Sequence, residues 1–374
     1  MGYMTGAAAG VVERDEAGNR GDADADGEAK AKAEHEARRA RRARRLRRLG
    51  WTLGAILAVA VVVGIVLRST PWPSALLIRD VFERGATETI AEMQPYVPDV
   101  ELEEHRDLDY GGGDRTTLDV FHLPGDEPRP AVVWIHGGAW ISGAKADVEP
   151  YLRILAAEGY TTVAIDYSIA PEQIYPTAVR QANDALAYLE EHADELGIDA
   201  QRIVVAGDSA GAQLASQVAA LTTNPEYADL LDVSPALDAD QLVGAVLNCG
   251  VYDLRAMAEL NGIAAWGFKI ALWSYTGSQD WSSAAPGAMM TTIDFATSDF
   301  PPTFISGGNG DGLTWLQSIP MSQRLQEHGV EVSSLFWPAD HEPALPHEYQ
   351  FHLDSDEAQV ALEQTLDFLD DVTG

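Results

Sequence analysis

Cysteine is nearly absent from this chain of 374 residues: Cys249 stands alone, so no intrachain disulfide can form. Catalytic use of that thiol would need a base in a defined motif beside it, and none follows. Its place after the apolar run Leu242–Leu247 suits a buried structural thiol. Positive charge is the second scarcity. Residues 1–50 hold 12 Lys and Arg against 9 Asp and Glu, which leaves 13 against 49, a net of −36, for everything after them. A body so acidic repels nucleic acid and anionic headgroups, so no nucleic-acid partner is expected. No His, Cys, Asp or Glu cluster has the sequence spacing of a metal site, no phosphate-binding glycine loop occurs, and no repeat is visible. Neither a metal nor a cofactor is therefore expected. Hydrophobic residues, at 46%, suffice for a large core and exclude global disorder.

What is present divides the chain into parts. Residues 1–35, rich in Ala, Gly, Asp and Glu, read as disordered, and with the basic run behind them form a tail over 1–49. Arg38–Arg48 places eight arginines in eleven residues, immediately before the uncharged stretch Trp51–Leu67. A basic flank ahead of an apolar span directs the N-terminus to the cytoplasm. Residues 50–68 are accordingly expected to be a single transmembrane signal-anchor rather than a cleaved signal peptide, with the body outside the cytoplasm. In the juxtamembrane stretch 69–100, Leu76, Leu77, Val81 and Phe82 suggest an amphipathic helix that packs on the body or lies at the membrane surface, packing being the more usual outcome.

From about Glu101 strands and helices alternate, the mark of a mostly parallel sheet covered on both faces. Leu118–Leu123, Ala131–Ile135, Thr161–Ile165, Ile203–Ala206, Val243–Leu247, Thr303–Ser306 and Val332–Phe336 read as strands. Val148–Glu158, Tyr175–His192, Ser209–Thr222, Leu316–His328 and Asp356–Leu369 read as helices. Residues 252–300, with Trp266, Trp273 and Trp281, interrupt the alternation as a cap-like insertion within a domain over 101–374.

The chemistry gathers at Gly207-Asp208-Ser209-Ala210-Gly211, a sharp turn between a buried strand and an alanine-rich helix. A serine there is exposed beside helix N-terminal amides, as a nucleophile attacking a carbonyl requires. Upstream, His136-Gly137-Gly138-Ala139-Trp140 follows a strand, and its amides at Gly138 and Ala139, with that of Ala210, can surround an oxyanion. The orienting acid should end a later strand, which selects Asp311 behind Gly307-Gly308-Asn309-Gly310. The base should follow the next strand: His347 ranks first, with His341 as its competitor. Trp140, Trp266 and Trp273 are candidates for lining an apolar substrate pocket.

Together these motifs resemble the α/β-hydrolase fold, most closely the esterase branch related to hormone-sensitive lipase and the bacterial feruloyl-esterase-like carboxylesterases. Asp166-Tyr-Ser-Ile-Ala-Pro-Glu172 resembles that branch's Asp-Tyr-Arg-Leu-Ala-Pro-Glu loop, and Gly207–Gly211 matches its nucleophile elbow. Ala139 stands in place of the third glycine of the oxyanion loop and Ser168 in place of the usual arginine. The resemblance covers roughly Glu101 to Val372. It implies a Ser209–Asp311–His347 serine esterase, with Asp208, Asp166 and Glu172 supporting loops, and the apolar tryptophan pocket favours small or medium uncharged carboxylic esters. An envelope acyltransferase, a deacetylase or amidase, and a non-catalytic binding protein of the same fold remain open beside it.

Overall fold

The computed structural model describes residues 16–260 and 262–374. It falls into two units, Met1–Ser69 and Thr70–Gly374. In the first, one helix, α1, runs from Glu16 to Ser69. Residues 16–35 are therefore helical where sequence suggested disorder. Alanine, arginine, lysine and glutamate are strong helix formers, and no proline interrupts them before Pro71. Residues 1–15 of the expected tail lie outside the described residues. Among those described, α1 is the one helix long and apolar enough to cross a membrane.

The second unit opens with α2 (Trp72–Met93), so its body begins some thirty residues before the alternating pattern does. There follow β1 (Glu103–Asp109), β2 (Thr117–His122), β3 (Arg129–Ile135), α3 (Glu149–Ala157), β4 (Thr161–Ile165), α4 (Thr177–Glu191), β5 (Ile198–Asp208) and α5 (Ala210–Thr223). Next come α6 (Pro225–Leu231), β6 (Leu242–Asn248), α7 (Leu254–Met257), α8 (Gly262–Thr276) and α9 (Ala285–Met290). The chain closes with β7 (Thr303–Gly307), α10 (Ile319–Glu327), β8 (Val332–Phe336) and α11 (Asp356–Thr373). The eight strands lie in the order β1-β2-β4-β3-β5-β6-β7-β8. β1–β2 and β2–β4 pair antiparallel and the other pairs are parallel. The insertion of residues 252–300 is helical, carrying α7, α8 and α9 between β6 and β7.

Unbroken apolar runs form the central strands because both faces of the sheet are covered. On β3, Val133 and Ile135 join the larger core cluster while Val132 and Trp134 join the other. On β5, Ile203 and Val205 face one way and Val204 and Ala206 the other. Leu186 and Leu189 of α4 and Leu214 and Val218 of α5 close the first face. Leu152 and Leu155 of α3 and Phe368 and Leu369 of α11 close the second. β1 was missed by the sequence reading because its residues, Glu-Glu-His-Arg-Asp-Leu-Asp, are polar and mostly exposed. It lies at the edge of the sheet, where only one side needs a partner.

Candidate active site

Close packing of β5, α5 and β3 puts Ser209 where it is. A Cβ on Gly211 would stand 1.8 Å from the Ile135 carbonyl oxygen, and one on Gly207 would stand 2.5 Å from the Gly211 carbonyl carbon. Only glycine permits α5 to start against the strand ends at that distance. Ser209 takes a left-handed φ of 51°, rare for a residue with a side chain, in the bend between β5 and α5. The amide of Ala210 is the first of α5 and has no acceptor within its own helix.

His347 Nε2 lies 2.9 Å from Ser209 Oγ, and His347 Nδ1 lies 2.6 Å from Asp311 Oδ2. Asp311 is buried, and its other oxygen accepts the Leu313 amide at 2.9 Å. The loop carrying Asp311 is fastened to the one carrying His347 through Asn309. Its Nδ2 donates to the His341 carbonyl at 2.9 Å and its Oδ1 accepts the Leu345 amide at 2.8 Å. Sequence reasoning did not single out Asn309, since nothing marks one loop asparagine from another. Gly308 and Gly310 flank it, and a Cβ at either would meet the Leu345 carbonyl oxygen, at 2.5 and 2.8 Å. His341, the competing base, instead binds Glu357 at 2.9 Å and lies against Trp337.

Burial alone would depress the basicity of His347. The hydrogen bond to Asp311 and the charges of Glu348, Asp311 and Asp208 outweigh it, and its pKa is raised to about 9. Glu348, with a left-handed φ of 58°, places Oε1 3.7 Å from His347 Nε2. Behind it lies Asp208, fully buried, whose Oδ1 accepts Trp134 Nε1–H at 2.7 Å. Burial, and then the facing Glu348, push the Asp208 carboxyl well above its ordinary range. These two acids belong to the site although sequence reasoning gave Asp208 a supporting role only and did not name Glu348. No residue pattern announces a pair made by a strand end and a loop 140 positions later.

Gly138, Ala139 and Trp140 all have positive φ, at 104°, 52° and 60°. Gly138 and Ala139 line a cavity of about 360 Å³ that also contains Ser209 and His347. His136 of the same loop is fully buried, stacks on Tyr167 and is pushed by burial to a pKa of about 4. Glu172 holds Arg79 of α2 at 2.6 Å, while Asp166 accepts the Lys145 amide at 2.9 Å. The Arg79 guanidinium further donates to the carbonyls of Ile141 and Ala170, at 2.6 and 2.8 Å, which ties α2 to the segment that follows Gly138 and Ala139 and to the Ala170 loop.

The cavity wall departs from expectation. Trp140, Trp266 and Trp273 do not line it. Trp140 is fully buried, stacked on Tyr275, with its indole N–H on Gln213; Trp266 is largely exposed and Trp273 packs on the core edge. Indole bulk and an apolar character fit all three positions, so composition could not tell wall from filler. The apolar wall comes from Val81, Phe82 and Ala86 of α2 with Phe268 of α8 and Phe351. The residues of α2 buried in the body are Ser74, Ala75, Ile78 and Met93, whereas Leu76, Leu77, Val81 and Phe82 remain exposed. The helix packs on the body as expected, but by a different face.

Two sets of potential metal donors lie within 4.8 Å of one another among the described residues: Cys249–Asp311–His347 and Glu103–His105–His122. The first reuses the pair already hydrogen-bonded to each other, and burial drives the Cys249 thiol well up, away from the thiolate a metal needs.

Comparison with known proteins bears on the fold and the family. The family described as alpha/beta hydrolase fold matches residues 132–344. Esterase LipC of Mycobacterium tuberculosis is 36% identical over 141 residues, 36% of this chain and 34% of its own length. The chain thus spans only about a third of that relative. The acetyl esterase of Salmonella choleraesuis is 36% identical over 234 residues, 60% of this chain and 68% of the relative. Among solved structures, Esterase B from Lactobacillus rhamnosis shares the fold with a TM-score of 0.70 at 22% identity, covering 80% of this chain and 96% of that one.

Proposed function

This chain belongs to the alpha/beta hydrolase fold family, among ester-hydrolysing relatives, and from that premise we propose that it is a serine carboxylesterase working through Ser209, His347 and Asp311. The observation that carries the reading is the continuous hydrogen-bonded line from Ser209 Oγ to Asp311 Oδ2 through both nitrogens of one imidazole, at 2.9 and 2.6 Å. Neutral His347 takes the serine proton at Nε2 as Oγ attacks the ester carbonyl. Asp311 holds the other nitrogen protonated and stabilises the imidazolium that results. The amides of Gly138, Ala139 and Ala210 bind the oxyanion, each worth about 3 kcal/mol in such a site. The imidazolium then protonates the leaving alcohol, and a water activated by the same nitrogen releases the acyl group.

A cavity of about 360 Å³ walled by Val81, Phe82 and Phe268 suits a small or medium acyl chain. Asp147, Asp208 and Glu348 also line it, which favours uncharged over anionic esters. The apolar part of α1 supports a single membrane anchor with the arginine run on the cytoplasmic side and the body beyond the membrane. Ser209→Ala in the full chain is the test. Hydrolysis of short-chain aryl esters and labelling by a fluorophosphonate probe should both vanish, with circular dichroism unchanged. An unaltered rate in that variant rejects the assignment.

A further inference from the structure

The edge of the sheet carries a second constellation, remote in chemistry from the cavity. β1 pairs antiparallel with β2 so that Glu103 stands opposite His122, and His105 opposite Val120. Side chains alternate along a strand, so Glu103 and His105 share a face, and His122 joins them on it. The rings of His105 and His122 lie 5.8 Å apart between centroids. His105 Nε2 is 3.9 Å from Glu103 Oε1, and one donor atom from each of the three residues falls within 4.8 Å of the others.

His122 supplies an independent sign. Only 3% exposed, it places Nδ1 2.9 Å from the Leu123 carbonyl oxygen. A carbonyl only accepts, so Nδ1 carries the proton and Nε2 presents a bare lone pair. That lone pair is buried and has no partner, and His105 Nε2 is likewise buried without a hydrogen bond. An imidazole with one nitrogen fixed by a backbone carbonyl and the other left without a partner, in a set of donors within 4.8 Å of a carboxylate and a second imidazole, is the arrangement metal-binding histidines adopt.

We propose that Glu103, His105 and His122 form a structural site for one divalent transition-metal ion of the zinc class, pinning β1 to β2. Two imidazoles and one carboxylate make three ligands of a tetrahedral set, with water completing it. Donors about 2 Å from zinc lie about 3.3 Å from each other, so a set now within 4.8 Å closes by drawing the three side chains together. The need is local. β1 is a polar edge strand, paired on one side only, and its register shifts between His105 and Leu108. A cation there replaces the apolar packing that the central strands enjoy. It takes no part in ester hydrolysis.

Purified full-length protein, stripped with chelator, is titrated with zinc by calorimetry and with cobalt(II) by visible absorption. One equivalent should bind more tightly than about 10 µM, with the intense d–d bands of a tetrahedral cobalt site. Glu103→Gln and His105→Gln, both at partly exposed positions, should each weaken binding by at least about tenfold without changing aryl-ester turnover. Zinc should raise the melting temperature of the wild type and of neither variant. Absence of stoichiometric binding overturns the proposal, as does binding that both variants leave unchanged. Zinc that inhibits hydrolysis in step with its occupancy also overturns it, by placing the ion on Cys249, Asp311 and His347.

Discussion

The elevated basicity of His347 has a kinetic consequence that one substitution can measure. A base with a pKa of about 9 is neutral in only about one molecule in a hundred at pH 7, so kcat/KM should climb about tenfold per pH unit and level off above that value. Part of the elevation comes from the Glu348 carboxylate, 3.7 Å from Nε2. Coulomb's law at an effective dielectric near 20 puts an isolated pair at that separation at about 4 kcal/mol. Water reaches the ring, which is 33% exposed, and screening reduces the net effect to about 1 kcal/mol, a little under one pKa unit. Glu348→Gln keeps the shape and removes the charge. Burial, the first cause of the upward shift of Asp208 behind it, is untouched by the exchange. The acid limb of the profile should therefore move down by about 0.5 to 1 unit, and kcat/KM at pH 7 should rise by about three- to tenfold. Steady-state hydrolysis of a neutral aryl ester from pH 5 to pH 10 reads both quantities. A midpoint that stays in place, or moves upward, refutes the electrostatic reasoning.

Asp311→Asn would turn an amide N–H₂ toward His347 Nδ1 and force the proton onto Nε2, facing the serine; kcat should fall by about 10⁴-fold with unchanged thermal stability. His341→Ala, assayed beside it, should leave kcat within about twofold, because its partner is Glu357 and not the serine. Asn309→Ala removes both fastenings between the acid and base loops and strands a buried Leu345 amide. A loss of about 1 to 3 kcal/mol in chemical denaturation and a lower kcat at unchanged KM are expected. Phe82→Ala withdraws part of the apolar wall, so kcat/KM for hexanoyl esters should drop about fivefold while acetyl esters change little, measured over a chain-length series.

The sequence made the middle of the sheet legible because a strand buried on both faces must be apolar at every position, as Val132–Ile135 and Ile203–Ala206 are. The neighbourhood of Ser209 was legible for a related reason: only glycine tolerates the contacts at positions 207 and 211, so the bend writes itself into residue type. What stayed hidden is what tertiary contact decides. β1 has no periodic signal, since an edge strand can be polar throughout. The role of α2 as a cavity wall depends on which face docks, and its apolar residues occur on more than one. The three tryptophans had the right chemistry in the wrong places. Donor sets drawn from facing strands, such as Glu103, His105 and His122, have no sequence spacing to detect. The Asp208–Glu348 pairing likewise depends on where one loop settles against a strand end.

The Arg79 clamp fixes where this protein can be cut. A protease acting between Ser69 and Trp72 would separate α1 from the body and leave the cavity around Ser209 intact, since Arg79 would keep its grip on Ile141, Ala170 and Glu172. Cleavage a little later, beyond Met93, would remove Val81, Phe82 and Ala86 together with the clamp, leaving Ser209 at the floor of an open trough. A form prepared without α1 should accordingly start near Thr70, and one trimmed back to Glu101 should lose the α2 wall of the cavity while keeping the Ser209–His347 pair.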